Sequence, residues 1–111
     1  MIFFMISSDP FQGLQGPEAQ EALLGATAYH KDVRVVFMGK AIEALQTKHH
    51  LLREDGLKNY LKTYAALELF EVTAVYALGS GEGMPEHLPC EWIDEVALED
   101  LKQQAQFLLS F

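Results

Sequence analysis

The feature that most constrains this fold is an alternation of strand-like and helix-like segments along the 111-residue chain. Ile2–Ile6 and 33–38 are nearly continuous apolar runs, which are typical of strands buried on both faces. Between them, Pro17 fits the first turn of a helix, because its missing N–H costs nothing there. One face of that helix is small and apolar at helical spacing, with Ala19, Ala22, Leu23 and Ala26.

The remainder of the chain continues this alternation. Three further strands are predicted, Val72–Leu78, Glu91–Val96 and 107–111. Helices are predicted at Ala41–Gln46, after Gly56 (with Leu57, Tyr60, Leu61 and Tyr64 on one face) and at Leu98–Gln106. We therefore predict an α/β fold: a single domain over residues 1–111, in which a mainly parallel five-stranded sheet has helices on both faces and right-handed crossovers.

Composition limits the classes of partner. The formal net charge of −8 would repel phosphate backbones, so direct nucleic-acid binding is not expected. No apolar run reaches the ~18 residues of a membrane span, so no membrane association is expected. A single cysteine excludes an internal disulfide and fits a reducing, cytoplasmic compartment. We predict neither a cofactor nor a metal site.

The candidate site is the end of the third strand, in the stretch VTAVYALGSGEG at 72–83. Gly79, Gly81 and Gly83 do not match the dinucleotide fingerprint, since Pro85 and the residues after it oppose the helix that this motif requires. A connecting loop is the favoured interpretation. An interface loop and a nucleotide site are the alternatives.

Cys90 is the only thiol of the chain. Its neighbours Pro89 and Glu91 supply no positive charge that would favour a thiolate. A small hydrophobic side chain at a strand start is therefore favoured over a sulfur carrier, although both interpretations remain open. His87 and Cys90 have the spacing of half a zinc site, but the other histidines, at 30, 49 and 50, lie far away in the sequence.

Two other groups of residues have ordinary structural explanations. Ser7, Ser8 and Asp9 follow the first strand, where Ser and Asp commonly form turns, and no histidine base is paired with them in the sequence. Trp92, Tyr60 and Tyr64 are expected in the core or in subunit contacts rather than around a cofactor.

Nearly the whole chain resembles the DsrE/DsrF-like family of sulfur-relay proteins, and it is most similar to the DsrF branch. The resemblance rests on the order of several pieces. They are the apolar first strand, a loop with Pro10 and Gly13, EALLGATAYHKDVRVVFMG, GLKNYLKTYAALELFEV, and an apolar final strand that ends at Phe111. One departure is Met38-Gly39-Lys40, where the family often has an acidic residue and Gly.

The resemblance implies a single α/β domain that assembles into trimers and hexamers. In the DsrE branch a cysteine near the end of the third strand carries a persulfide, and the matching stretch here lies around Tyr76. A tyrosine with a pKa near ~10 cannot hold a sulfane sulfur. The resemblance therefore implies no catalytic residue, and it gives Tyr76, Gly79, Gly81 and Gly83 a role in a pocket or subunit contact.

The leading hypothesis is a non-catalytic subunit of a sulfurtransferase system, for which the resemblance implies DsrE-like or DsrH-like sister subunits, or copies of itself, as partners. The first alternative is a homo-oligomeric sulfur carrier that uses Cys90. The second is a protein that binds a small ligand or an anion with its strand-end loops. Whether such a relay serves tRNA thiolation or sulfur oxidation is open.

Overall fold

A computed structural model describes residues 1–7, 15–43, 72–79, 81 and 90–111 of the chain. The helix predicted after Gly56 and the loop at 47–55 lie outside these residues. The described elements are β1 (Ile2–Ile6), α1 (Gln15–Tyr29), β2 (Val33–Phe37), β3 (Ala74–Leu78), β4 (Glu91–Ile93), α2 (Glu95–Gln104) and β5 (Phe107–Ser110). Positions 40–43 are helical, and the rest of the predicted Ala41–Gln46 helix lies outside the described residues.

The strands form one five-stranded sheet in the order β4-β3-β2-β1-β5. Each neighbouring pair is parallel, and the register aligns Ile2 with both Val33 and Phe107. Strand order places the apolar β1 and β2 inside the sheet, where both of their faces can be covered. The predicted α/β class with a parallel sheet is confirmed.

The two faces of the sheet are covered by different helices. α1 packs its small apolar face on one side, where Ala19 and Leu23 are fully buried against Phe4 and Val35. α2 covers the other side, where Leu98 and Leu101 join the cluster of Phe3. The first of these we call the α1 face and the second the α2 face. Because residues alternate along each strand, consecutive positions of β1 serve opposite cores.

The boundary between β4 and α2 differs from the prediction. β4 ends at Ile93 rather than at Val96, and α2 begins at Glu95 rather than at Leu98. The cause is Asp94, which caps the helix by accepting a hydrogen bond from the backbone N–H of Ala97 at 2.8 Å. β-branched Val96 favours a strand by propensity, but the cap places it on the first turn of α2, where it is 70 % exposed.

Within the described residues, the helices are too short or too polar to cross a membrane.

Candidate functional site

The site predicted at the end of β3 lies at the carboxyl edge of the parallel sheet, where ligands and reactive groups gather in open α/β folds. β3 ends at Leu78, which aligns with Ile93 of β4. The backbone N–H of Gly79 donates a hydrogen bond to the carbonyl oxygen of Ile93 at 2.8 Å. Pairing with β4 therefore continues one residue beyond the end of β3. It fixes the position of Gly79, the first residue of the stretch 79–83, which we call the glycine segment.

Gly79 and Gly81 lie close to the indole ring of Trp92, on β4. A Cβ atom at Gly81 would lie 3.3 Å from Cη2 of Trp92, and one at Gly79 would lie 3.5 Å from Cζ3. Gly79 also has a φ of +139°, a conformation that side-chain-bearing residues rarely adopt. Glycine is therefore favoured at both positions: at Gly79 by the backbone conformation, and at Gly81 by the close approach to an aromatic ring. Ser80 and Gly83 lie outside the described residues.

Tyr76 lies within the sheet rather than at its rim. Its side chain is only 8 % exposed and belongs to the buried cluster on the α2 face, with Val36 and Leu98. Its hydroxyl accepts a hydrogen bond from Nη1 of Arg34 at 3.3 Å. Arg34 aligns with Ala74, two residues before Tyr76, so the hydroxyl is directed towards the amino-terminal half of the sheet.

Arg34 is also held by Asp32. Nε of Arg34 donates to Oδ1 of Asp32 at 3.0 Å, and Nη2 donates to Oδ2 at 3.4 Å. These hydrogen bonds lower the pKa of the Asp32 carboxyl, against the opposing effect of burial, and the pair raises the pKa of Arg34. The paired carboxylate satisfies two of the guanidinium's donors, so the cluster ties the start of β2 to Tyr76.

Cys90 lies directly before β4, at the amino end of that strand. Its side chain is partly buried and packs against the core on the α1 face. Burial raises the pKa of the thiol from 9.0 to about 12. Cys90 precedes Ile93 by three positions, roughly 10 Å along a strand, so Cys90 is remote from the carboxyl edge. A thiol that stays neutral is a poor nucleophile near neutral pH.

The other residues considered from the sequence are not brought together. The hydroxyl and the backbone N–H of Ser7 donate to the backbone oxygen of Phe111, at 3.4 and 2.8 Å, so Ser7 ties β1 to the end of the chain. His30 is exposed beyond the end of α1. Within the described residues, no three His, Cys, Asp or Glu side chains are grouped as a metal ion would need. Outside them lie Ser8, Asp9, His49, His50, Tyr60, Tyr64 and His87.

Sequence reasoning missed the cluster of Asp32, Arg34 and Tyr76. One signal was available: Asp32 and Arg34 are two residues apart at a strand start, and side chains at that spacing share a face. The third member could not be inferred, because it depends on the register between β2 and β3, which joins residues 42 apart in sequence.

Comparison with known proteins identifies the family to which this chain belongs. The model of the DsrE/DsrF-like family matches residues 1–109, and the chain therefore belongs to that family. In fold, the chain is similar to the ychN protein from E. coli, with a TM-score of 0.72 and 14 % identity over 99 % of this chain and 97 % of the other.

A curated relative bears on the branch of the family to which this chain is similar. The chain is 25 % identical over 108 residues to a protein named "Protein TusC homolog" from Aliivibrio fischeri (strain ATCC 700601 / ES114), covering 91 % of this chain and 87 % of the relative. The predicted resemblance to the DsrF branch is confirmed, since that branch includes the C subunit of the Tus complex.

Proposed function

We propose that this chain is a non-catalytic subunit of a sulfur-relay complex, in which it supports a sister subunit that carries the persulfide cysteine. Membership of the DsrE/DsrF-like family and similarity to a TusC homolog support a role in sulfur relay. A cytoplasmic location belongs to the same proposal and rests on the single cysteine.

The observation that carries the proposal is the side-chain content of the end of β3. The stretch that matches the persulfide position in the DsrE branch consists here of Tyr76, Ala77 and Leu78. Tyr76 and Ala77 are buried, and the tyrosine hydroxyl is hydrogen-bonded to Arg34. Such a stretch offers no group that could accept a sulfane sulfur, and the contacts of Tyr76 and Ala77 lie within this chain's own sheet.

The thiol that the chain does possess is unsuited to the same chemistry. Attack on a persulfide requires a thiolate, and burial raises the pKa of Cys90 to about 12. Its place at the amino end of β4 also separates it from the carboxyl ends of the strands. Both observations weigh against the alternative of a homo-oligomeric carrier that uses Cys90.

The glycine segment is the surface by which we propose that the sister subunit is contacted. Gly81 is exposed and has no side chain, so the backbone of a neighbouring chain could approach it closely. Tyr76 and Gly79, which precede Gly81 along the chain, would hold this segment in place. Gly83 is part of the same proposal by sequence alone.

Co-expression with a DsrE-like sister subunit tests the proposal. A tagged copy of this chain should recover the sister, and sulfur label supplied by a persulfide donor should appear on the sister's cysteine and not on Cys90. Gly81→Ala should weaken recovery of the sister, whereas Gly25→Ala should not, because a Cβ at Gly25 meets nothing within 4 Å. Label on Cys90 would instead support the carrier hypothesis.

A further inference from the structure

A groove on the α1 face lies between α1 and β5, and its volume is about 350 Å³. Ile2 and Phe4 of β1 line it and are themselves buried, so the groove has a closed floor. Phe107 and Leu109 of β5 align with these two residues and lie on the same face. A volume of this size falls at the lower end of the range for pockets that hold small molecules.

The helix wall of the groove is kept open by small residues, Ala22, Gly25 and Ala26. Glycine is unfavourable inside a helix, and Gly25 does not have the positive φ that would require it. A Cβ atom at Gly25 would meet no atom within 4 Å. The local consequence of glycine at this position is therefore free space in the groove, which a larger side chain would occupy.

Two exposed aromatic rings line the groove. Tyr29 is 87 % exposed and Phe107 is 61 % exposed. Tyr29 ends α1, and Phe107 aligns with Ile2, the first residue of β1, so both lie towards the amino edge of the sheet. Aromatic rings pair favourably with other rings in stacked or edge-to-face arrangements. A ring bound in the groove would therefore find aromatic partners on the helix and on the strand.

The charges around the groove favour an uncharged ligand. The net charge of −8 opposes the approach of anions to the chain. His30 lines one end of the groove and the exposed Lys31 follows it, so a cation is disfavoured at that end. The hydroxyl of Tyr29 and the imidazole of His30 can both form hydrogen bonds there. The groove thus offers an apolar body and one polar end.

We propose that this groove binds an uncharged aromatic molecule of about two or three rings, with a single hydrogen-bonding group directed towards Tyr29 and His30. The rings lie on Ile2 and Phe4 and pack against Phe107. Binding removes from water the aromatic and aliphatic surface that β5 otherwise exposes, which is the main source of its free energy.

The proposed site is separate from the glycine segment. β5 and β1 lie at one end of the strand order, and β3 and β4 lie at the other. The polar end of the groove is towards the amino edge of the sheet, whereas Gly79 follows the carboxyl end of β3. Ligand binding in the groove therefore goes beyond the proposed role in sulfur relay, and each can fail without the other.

Fluorescence titration of the purified chain with N-phenyl-1-naphthylamine tests the site. This uncharged probe has three aromatic rings and one N–H group, and its emission rises in apolar surroundings. We expect a saturable rise. Gly25→Leu should weaken binding by about tenfold or more, because the new side chain would occupy the groove. Ala28→Leu is the matched control, since Ala28 is exposed on α1 without lining the groove, and it should change the affinity by less than about twofold.

Displacement of the probe tests the class of ligand. 1-Naphthol should displace it at a lower concentration than 1-naphthoate or 1-naphthylmethylammonium, which add a negative or a positive charge to the same rings, and than 1-octanol, which has no ring. Leucine is a good helix former, so both α1 variants should fold, and circular dichroism verifies this. Absence of saturable binding, equal affinities of folded Gly25→Leu and wild type, or a charged or aliphatic competitor that matches 1-naphthol would each overturn the proposal.

Discussion

Nη1 of Arg34, on β2, donates a hydrogen bond to the hydroxyl of Tyr76, on β3, at 3.3 Å. This contact gives the polar tip of a buried ring a partner within its own chain, and it links the Asp32–Arg34 ion pair to the strand that ends at the candidate site. Buried tyrosine hydroxyls generally need such a partner. Tyr76 is thus a buried side chain that helps to hold β3 in the sheet.

Tyr76→Phe is expected to lower the free energy of unfolding by about 0.5–1.5 kcal/mol, the usual net effect of one hydrogen bond. Tyr76→Ala removes the buried ring as well and should cost about 3–5 kcal/mol. Urea titration followed by circular dichroism measures both. Tyr29→Phe is the control, because Tyr29 is an exposed hydroxyl-bearing ring, and it should change little. Equal effects of Tyr76→Phe and Tyr29→Phe would contradict a stabilising role for the Arg34 contact.

The glycines at 79 and 25 should respond to alanine with opposite signs. Gly79→Ala places a side chain at φ +139° and should destabilise the fold by about 1–3 kcal/mol. Gly25→Ala, on α1 with no atom within 4 Å of the new Cβ, should stabilise it by about 0.5–1 kcal/mol through helix propensity. The fluorescence of Trp92, the sole tryptophan, reports unfolding of both variants. A neutral Gly79→Ala would show that the strand end does not depend on glycine.

Cys90 should make the stability of the fold depend on pH in the alkaline range. Burial raises the pKa of its thiol from 9.0 to about 12, so the unfolded chain loses this proton at a lower pH than the folded chain does. The corresponding stability is fully present below about pH 9 and is lost as the pH rises towards about 12.

The measurement is urea unfolding across this range for wild type and Cys90→Ala. The wild-type chain should lose stability more steeply than the variant. Parallel curves would indicate an ordinary thiol pKa. In the same chain, iodoacetamide should modify Cys90 slowly near neutral pH and rapidly in urea.

Asp32 should contribute in the acid range, with the opposite sign. Its hydrogen bonds from Arg34 lower the pKa of the carboxyl from 3.8, so its contribution to stability is present above that value and is lost as the pH falls through the lowered pKa. Asp32→Asn should therefore be less stable than wild type at about pH 6, with the difference shrinking towards about pH 3. A difference that does not vary with pH would mean that the ion pair contributes nothing measurable.

The sequence predicted the fold well because the relevant signals are local. Apolar runs such as Ile2–Ile6 and the small face of α1 are properties of consecutive residues. The predicted end of β4 was wrong because Asp94 caps α2, which places Val96 in the helix despite its strand propensity. The contact of Arg34 with Tyr76 and that of Gly81 with Trp92 depend on strand register and loop path, which periodicity does not specify.

The central claim is that this chain supports sulfur transfer without carrying sulfur. The most direct measurement is delivery of sulfur to the acceptor by the assembled complex, with Cys90→Ser compared with the wild-type chain and assembly verified by light scattering. We predict that transfer proceeds at an unchanged rate, because Cys90 is partly buried, burial raises the pKa of its thiol to about 12, and it lies away from the carboxyl ends of the strands. Loss of transfer in a fully assembled Cys90→Ser complex would contradict the account and would make Cys90 a sulfur carrier.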